Sequence, residues 1–186
     1  MTIPGGATAA GTNVCQRKEN GIINSQVFYL THTYDAEHKN ISYFTIYSIN
    51  MSGQTAQTRM KAGNISLAGQ ANVSLQYMMP TEINDRWQIE HYADNYYIIY
   101  MGSRPLTSAV RYIMRATEGQ GTLTGTETTS PGNVYVTALD VMIPPSDHML
   151  WEICVDGEPV DIYSIVNDTF CYDCIDIINN HIDDHH

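Results

Sequence analysis

The sequence predicts an all-β protein, an antiparallel sandwich or barrel, on three observations. From Gln26 to Met114 short apolar stretches are punctuated at regular intervals by Gly, Asn, Asp and Pro. No stretch of that region holds a helical period. The tyrosines gather in the stretches themselves: "EHYADNYYIIYMGSRP", Glu90 to Pro105, has four of the chain's 13, split by an Asp-Asn pair in the way two short strands meet at a tight turn.

Taken in order, residues 1–20, beginning "MTIPGGATAAG", are small and read as a flexible N-terminal segment. Strands are predicted over 26–34, 41–49, 55–61, 64–68, 72–79, 86–92, 96–101 and 109–115, each bounded by turn-forming residues. A polar loop follows over 117–132. "PGNVYVTALDVMI" is read as a short helix, with Pro131 near its start and the tandem Pro144-Pro145 at its end. "HMLWEICV", His148 to Val155, is one more strand. Residues 157–186 are an acidic tail that contains cysteines. A chain of 186 residues with 43% hydrophobic content suits one domain with a real core, whose body is 21–156.

Charge and composition narrow the function classes. Nine Lys+Arg against 20 Asp+Glu give a net charge of -11, which repels a phosphate backbone, so nucleic acid is not expected as a partner. No apolar run approaches the roughly 20 residues of a membrane-spanning helix, and no signal-peptide order is present at the N-terminus. Five Asn-x-Ser/Thr acceptors, at Asn40, Asn50, Asn64, Asn72 and Asn167, nevertheless point to a secreted, extracellular glycoprotein. Four cysteines, Cys15, Cys154, Cys171 and Cys174, point the same way as a pair of disulfides. "CYDC" has the spacing of a redox or metal motif but lies in an acidic tail without a strand-helix context.

The acceptor asparagines also orient the strands, because side chains alternate faces and a glycan leaves from the outside. Asn40 and Asn50 flank the second strand at even numbers, which turns Ile41, Tyr43, Thr45, Tyr47 and Ile49 inward. The same parity turns Ile65 and Leu67 inward from Asn64, and Val73, Leu75 and Tyr77 inward from Asn72. In "RWQIEHY" the apolar face has Trp87, Ile89 and His91; in "AVRYIMR" it has Val110, Tyr112 and Met114, opposite Arg111 and Arg115. Tyr96 and Tyr100 share one face of their strand as candidates for the same interior, and Tyr97 faces the other way.

The run from Val27 to Arg115 resembles the lipocalins, secreted carrier barrels. "THTYDAEHKNISYFTIYSIN" looks like their second and third strands, and "NVSLQYMMP" looks like the strand before their Tyr-Trp-x-Ile/Val strand, here "DRWQIEHY". "YADNYYIIY" is similar to the family's second motif, with Asp94, Asn95, Tyr96 and Tyr100 in matching places and either Tyr92 or Ala93 at the first tyrosine position. Arg115 would be the arginine that closes the last barrel strand. The first motif, Gly-x-Trp, departs: either "GTN", Gly11 to Asn13, puts Asn13 where the tryptophan stacks on that arginine, removing a contact of about 0.5–2 kcal/mol, or the first strand is altered or absent. The resemblance implies an eight-stranded antiparallel up-and-down β-barrel with a short C-terminal helix and a disulfide-tied tail.

Such a barrel either fills with its own side chains or holds one small ligand. The aliphatic inward residues suit a packed core. Tyr43, Tyr47, Tyr77 and Tyr112 together suit a cavity, since a buried hydroxyl without a partner costs about 1–3 kcal/mol. The expected function is carriage of a small hydrophobic or amphipathic molecule (a retinoid, fatty acid, sterol, tetrapyrrole or biogenic amine) held by Tyr43, Tyr47, Val73, Leu75, Tyr77, Trp87, Ile89, His91, Tyr112 and Met114. The competing class is a surface interaction or structural glycoprotein with a filled barrel. His91 reads as a wall residue rather than a haem or metal ligand, and the tail residues His181, Asp183, Asp184, His185 and His186 as an acidic end. No cofactor, metal site or catalytic constellation is expected. A disulfide from Cys15 to Cys171 or Cys174, with Cys154 bonded to the other, would anchor the N-terminal segment against fraying.

Overall fold

A computed structural model of the chain describes residues 1–16, 23–35, 41–51, 57–102, 109–117, 132–155, 157–165 and 171–179. Among them lie twelve strands: β1 (Cys15–Gln16), β2 (Phe28–Asp35), β3 (Ile41–Ser48), β4 (Thr58–Ala62), β5 (Gln70–Tyr77), β6 (Trp87–Ala93), β7 (Tyr96–Met101), β8 (Val110–Ala116), β9 (Gly132–Asp140), β10 (Trp151–Val155), β11 (Glu158–Pro159) and β12 (Cys171–Asn179). All pairings are antiparallel. The all-β class is therefore what the sequence predicts, but the architecture is not an eight-stranded up-and-down barrel.

The strand order is β11-β10-β12-β2-β3-β6-β7-β8-β9-β5-β4, and β10 also pairs with β7. Six strands, β10, β12, β2, β3, β6 and β7, thus close a hydrogen-bonded circuit, and β8, β9, β5 and β4 extend from it. β7 serves both parts by splitting one edge: Tyr96 and Tyr97 pair with β10, while Tyr100 pairs with Ile113 of β8. In an up-and-down barrel β3 would pair with β4. Here β3 pairs with β6, and the β4–β5 hairpin is carried across to β9.

Two local expectations are corrected. The helix expected after Pro131 is β9, with Val134 and Val136 buried and Asn133, Tyr135 and Thr137 half-buried between them. β-Branched residues lose rotamer freedom in a helix and pack well on a pleated surface, and β9 has a strand on each side, Ala116↔Val134 on β8 and Asn72↔Tyr135 on β5. No C-terminal helix occurs at that place. Residues 64–68 are not a strand but part of the connection between β4 and β5, closed by the Ser66 N–H bonded to the Gln70 carbonyl at 2.8 Å. Gly69 there has φ +75°, and a Cβ built on it would stand 3.0 Å from the Ala138 Cβ, so only glycine fits without movement. The Asp-Asn turn of β6 and β7 forms as expected, with Asp94 at φ +48°.

The N-terminal residues and β12 are built into the fold. Met1, Ile3 and Val14 belong to the main core, and Thr2 and Cys15 exchange backbone bonds at 2.8 and 2.9 Å, so this segment, expected to be flexible, is anchored near both ends with Ala9 to Gly11 exposed between them. β12, from the stretch read as a tail, lies between β10 and β2 and contributes Ile175 and Ile177 to the core. Cys15 and Cys154 are buried on β1 and β10, and no disulfide joins these two. The side chains of Cys171 and Cys174, and with them the expected pairings, lie outside the described residues. So do Asn40, Asn167, residues 181–186 and most of the 117–132 loop.

Candidate binding surface

The interior residues expected to hold a ligand are brought together, but in a packed core. Val73, Leu75, Trp87, Ile89 and Met114 each have 0% exposure, which leaves no water-sized space against them either outside or within. Trp87 donates its indole N–H to the Met60 carbonyl at 3.1 Å, and Trp151 donates to the Met114 carbonyl at 3.3 Å. The polar end of each large ring is thus satisfied by backbone. Tyr112 packs half-buried against this cluster.

The other expected members lie elsewhere. Tyr77 is 55% exposed at the end of β5, and His91 is exposed, its Nε2 2.7 Å from the Asp94 carbonyl oxygen. Leu67 and Val110 are exposed as well, and Ile65 is half-buried against the core. On β3 the main apolar cluster takes Phe44 and Ile46; Thr45 and Tyr47, expected inward, are buried as well but outside that cluster, and Tyr43 is half-buried. Parity fails there because Asn50 sits in the 3-10 turn Ile49–Met51, where strand alternation no longer holds; its Nδ2 donates to the Gly6 carbonyl at 2.8 Å. Asn50, Asn64 and Asn72 are all exposed. On β7, Tyr97 and Ile99 face the main core, whereas Tyr96 and Tyr100 flank a second cluster formed by Ile98, Ile113, Met149 and Leu150.

Tyr43, half-buried, and Tyr47, buried but outside the main apolar cluster, meet cations instead. The Arg59 guanidinium lies 5.2 Å from the Tyr47 ring centroid, Arg86 lies 4.7 Å from that of Tyr43, and Tyr29 stacks 5.3 Å from Tyr47. Arg59 also faces Asp85 at 3.6 Å, and Lys61 pairs with Glu82. Asp85 is buried, and that burial raises its pKa above the ordinary carboxylate value against the opposing pull of Arg59. Alternation explains the placement: Met60 and Ala62 of β4 enter the core, which sends Arg59 and Lys61 to the opposite face.

A groove of ≈ 250 Å³ opens over β8 and β9. Ile98, Ile113 and Leu139 form its apolar floor, and the segment Val141 to Pro145 forms one wall. Across it, Arg111 bonds Glu90 at 3.0 Å and lies 4.9 Å over the Tyr100 ring. Burial, and next the Glu90 charge, raise the Tyr100 hydroxyl pKa and keep the tyrosine neutral. The groove is bordered by exposed apolar side chains: Met142 at 85%, Ile143 at 55%, and Tyr92 and Val141 beside them. Sequence reasoning missed this wall by placing "VMIPP" at a helix end. The available signal was an apolar triad followed by two prolines, which neither continues a strand nor packs as a helix.

Among the described residues no group of three or more His, Cys, Asp or Glu could hold a metal ion, and no helix is long and apolar enough to cross a membrane. Comparison with protein-family models, curated proteins and solved structures finds no match for this chain.

Proposed function

We propose that this is a surface interaction protein with a filled core, which binds a protein partner through the groove walled by Val141 to Pro145. The observation that supports it most is the absence of water-accessible surface on Val73, Leu75, Trp87, Ile89 and Met114, the residues a carrier would need to line its cavity. Side chains without exposed surface that pack on one another in a single cluster offer no wall to a retinoid- or sterol-sized ligand.

Exposed apolar side chains gathered around one depression are a mark of protein recognition, and methionine adapts its shape to a partner. The rim carboxylates Glu90 and Asp140, in a chain of net charge -11, favour a partner that presents an apolar anchor flanked by basic residues. Secretion and glycosylation fit this reading through the exposed Asn50 and Asn64.

Photo-crosslinking from residue 142 in a source extract, with the captured protein then purified and titrated directly, tests the proposal. Saturable binding that Ile143→Glu abolishes is expected. Native mass spectrometry that finds a stoichiometric apolar ligand on protein purified from its source would overturn it and restore the carrier reading.

A further inference from the structure

Three asparagines from three separate segments close a ring of side-chain amides on the outer surface. Asn13 donates its Nδ2–H to Asn133 Oδ1 at 3.0 Å, Asn133 donates to Asn72 Oδ1 at 2.8 Å, and Asn72 donates to Asn13 Oδ1 at 2.5 Å. Asn72 is on β5 and Asn133 on β9, while Asn13 reaches them through its backbone bridge to Ser74. This is the asparagine that stands where the resemblance calls for tryptophan.

Each amide in the ring donates once and accepts once, so each retains one N–H and one carbonyl lone pair for another molecule. The three planes are fixed by one another and by strand backbone, so a ligand would not have to order them. Asn72 and Asn133 edge a shallow depression of ≈ 330 Å³ with Gln70, Ala71, Thr117 and Tyr135. Tyr135 is opposite Asn72 in register, and Thr117 Oγ1 accepts the Asn133 backbone N–H at 2.9 Å. None of the six lining residues is charged, in a chain where acidic residues outnumber basic ones by 20 to nine.

Neutral, preorganised donor and acceptor pairs beside an aromatic ring match one ligand chemistry. Vicinal hydroxyls both donate and accept, and the C–H face of a pyranose lies on an aromatic plane. None of the six lining residues offers a phosphate or carboxylate a counter-charge, and a purely apolar ligand would strand the amides. We infer that the Asn13–Asn72–Asn133 ring with Tyr135 is a binding site for a neutral sugar unit. This inference is independent of the groove, which lies on other side chains.

Saturation-transfer NMR on the full chain expressed in bacteria, and so without a glycan on Asn72, tests it. The probes are the methyl glycosides of glucose, galactose, mannose and N-acetylglucosamine at millimolar concentration, singly and as β-linked disaccharides, with adenosine as a control. Transfer to ring C–H protons of at least one glycoside is expected, together with shifts of the three asparagine side-chain amide resonances. Preference for a disaccharide would point to a glycan chain, and equal affinity for the monosaccharide to a free sugar. Tyr135→Ala and Asn72→Asp should each weaken binding by about tenfold. Tyr135→Ala keeps the test valid where Asn72→Asp disturbs the N-terminal segment, since a circular-dichroism melt reports folding of each variant. Absence of transfer to all the glycosides, equal transfer to adenosine, or transfer unchanged in folded Tyr135→Ala overturns the site.

Discussion

Trp87 and Met60 are joined by a single indole-to-carbonyl hydrogen bond of 3.1 Å, and neither residue retains any exposed surface. The bond ties β6 to β4, two strands that are not neighbours in the sheet order, across the core. It therefore helps fix where the β4–β5 hairpin docks.

Replacing Trp87 by Phe should lower the unfolding free energy by about 1–3 kcal/mol for the stranded Met60 carbonyl, and further for the space left behind. Urea unfolding followed by tyrosine fluorescence measures this. A loss below about 0.5 kcal/mol would mean that the carbonyl finds another donor and that this bond does not hold the hairpin.

Asp85 should make stability depend on pH in the less common direction for a carboxylate. Its folded pKa is raised above 3.8 by burial. A proton is therefore held more tightly folded than unfolded, and the stabilising contribution is full at low pH and lost as pH rises through the folded pKa. Asp85→Asn has no such loss. The difference in unfolding free energy between variant and parent should shift in favour of Asn as pH rises from about 3.5 to about 7. A constant difference across that range would show that Arg59 cancels the burial effect.

Met142→Glu should leave stability within about 0.5 kcal/mol, because the side chain is exposed and outside both apolar clusters. If the groove is the interface, the same change should weaken partner binding by about 2 kcal/mol or more, the cost of losing an anchor. Calorimetric unfolding and direct titration separate the two effects. A stable variant with unchanged affinity would move the interface elsewhere.

Gly69→Ala should destabilise by about 1 kcal/mol or more, from left-handed backbone and from a Cβ at 3.0 Å to Ala138. The control is Gly157→Ala, which has positive φ but open space around a Cβ, and should cost less. Equal thermal shifts for the two would show that crowding at the β5–β9 contact adds nothing.

The sequence by itself determined the all-β class, most strand positions and the tight turn at Asp94, because these rest on local chemistry: alternation, turn residues and tolerance of positive φ. It also placed Val73, Leu75, Trp87, Ile89 and Met114 on one inward face, since strand parity needs no knowledge of neighbours. Tertiary structure alone decided the rest. β9 is a strand because β5 and β8 flank it, and no window of "NVYVTALDV" contains those partners. Phe44 and Ile46 join the main apolar cluster while Tyr47 is buried outside it beside Arg59, a division set by what packs on each face of β3. The asparagine ring joins positions 13, 72 and 133, and the groove joins Glu90 and Arg111 to the segment after β9. Strand order brings such distant residues together, and strand order is set by which pairing buries the most apolar surface over the whole chain.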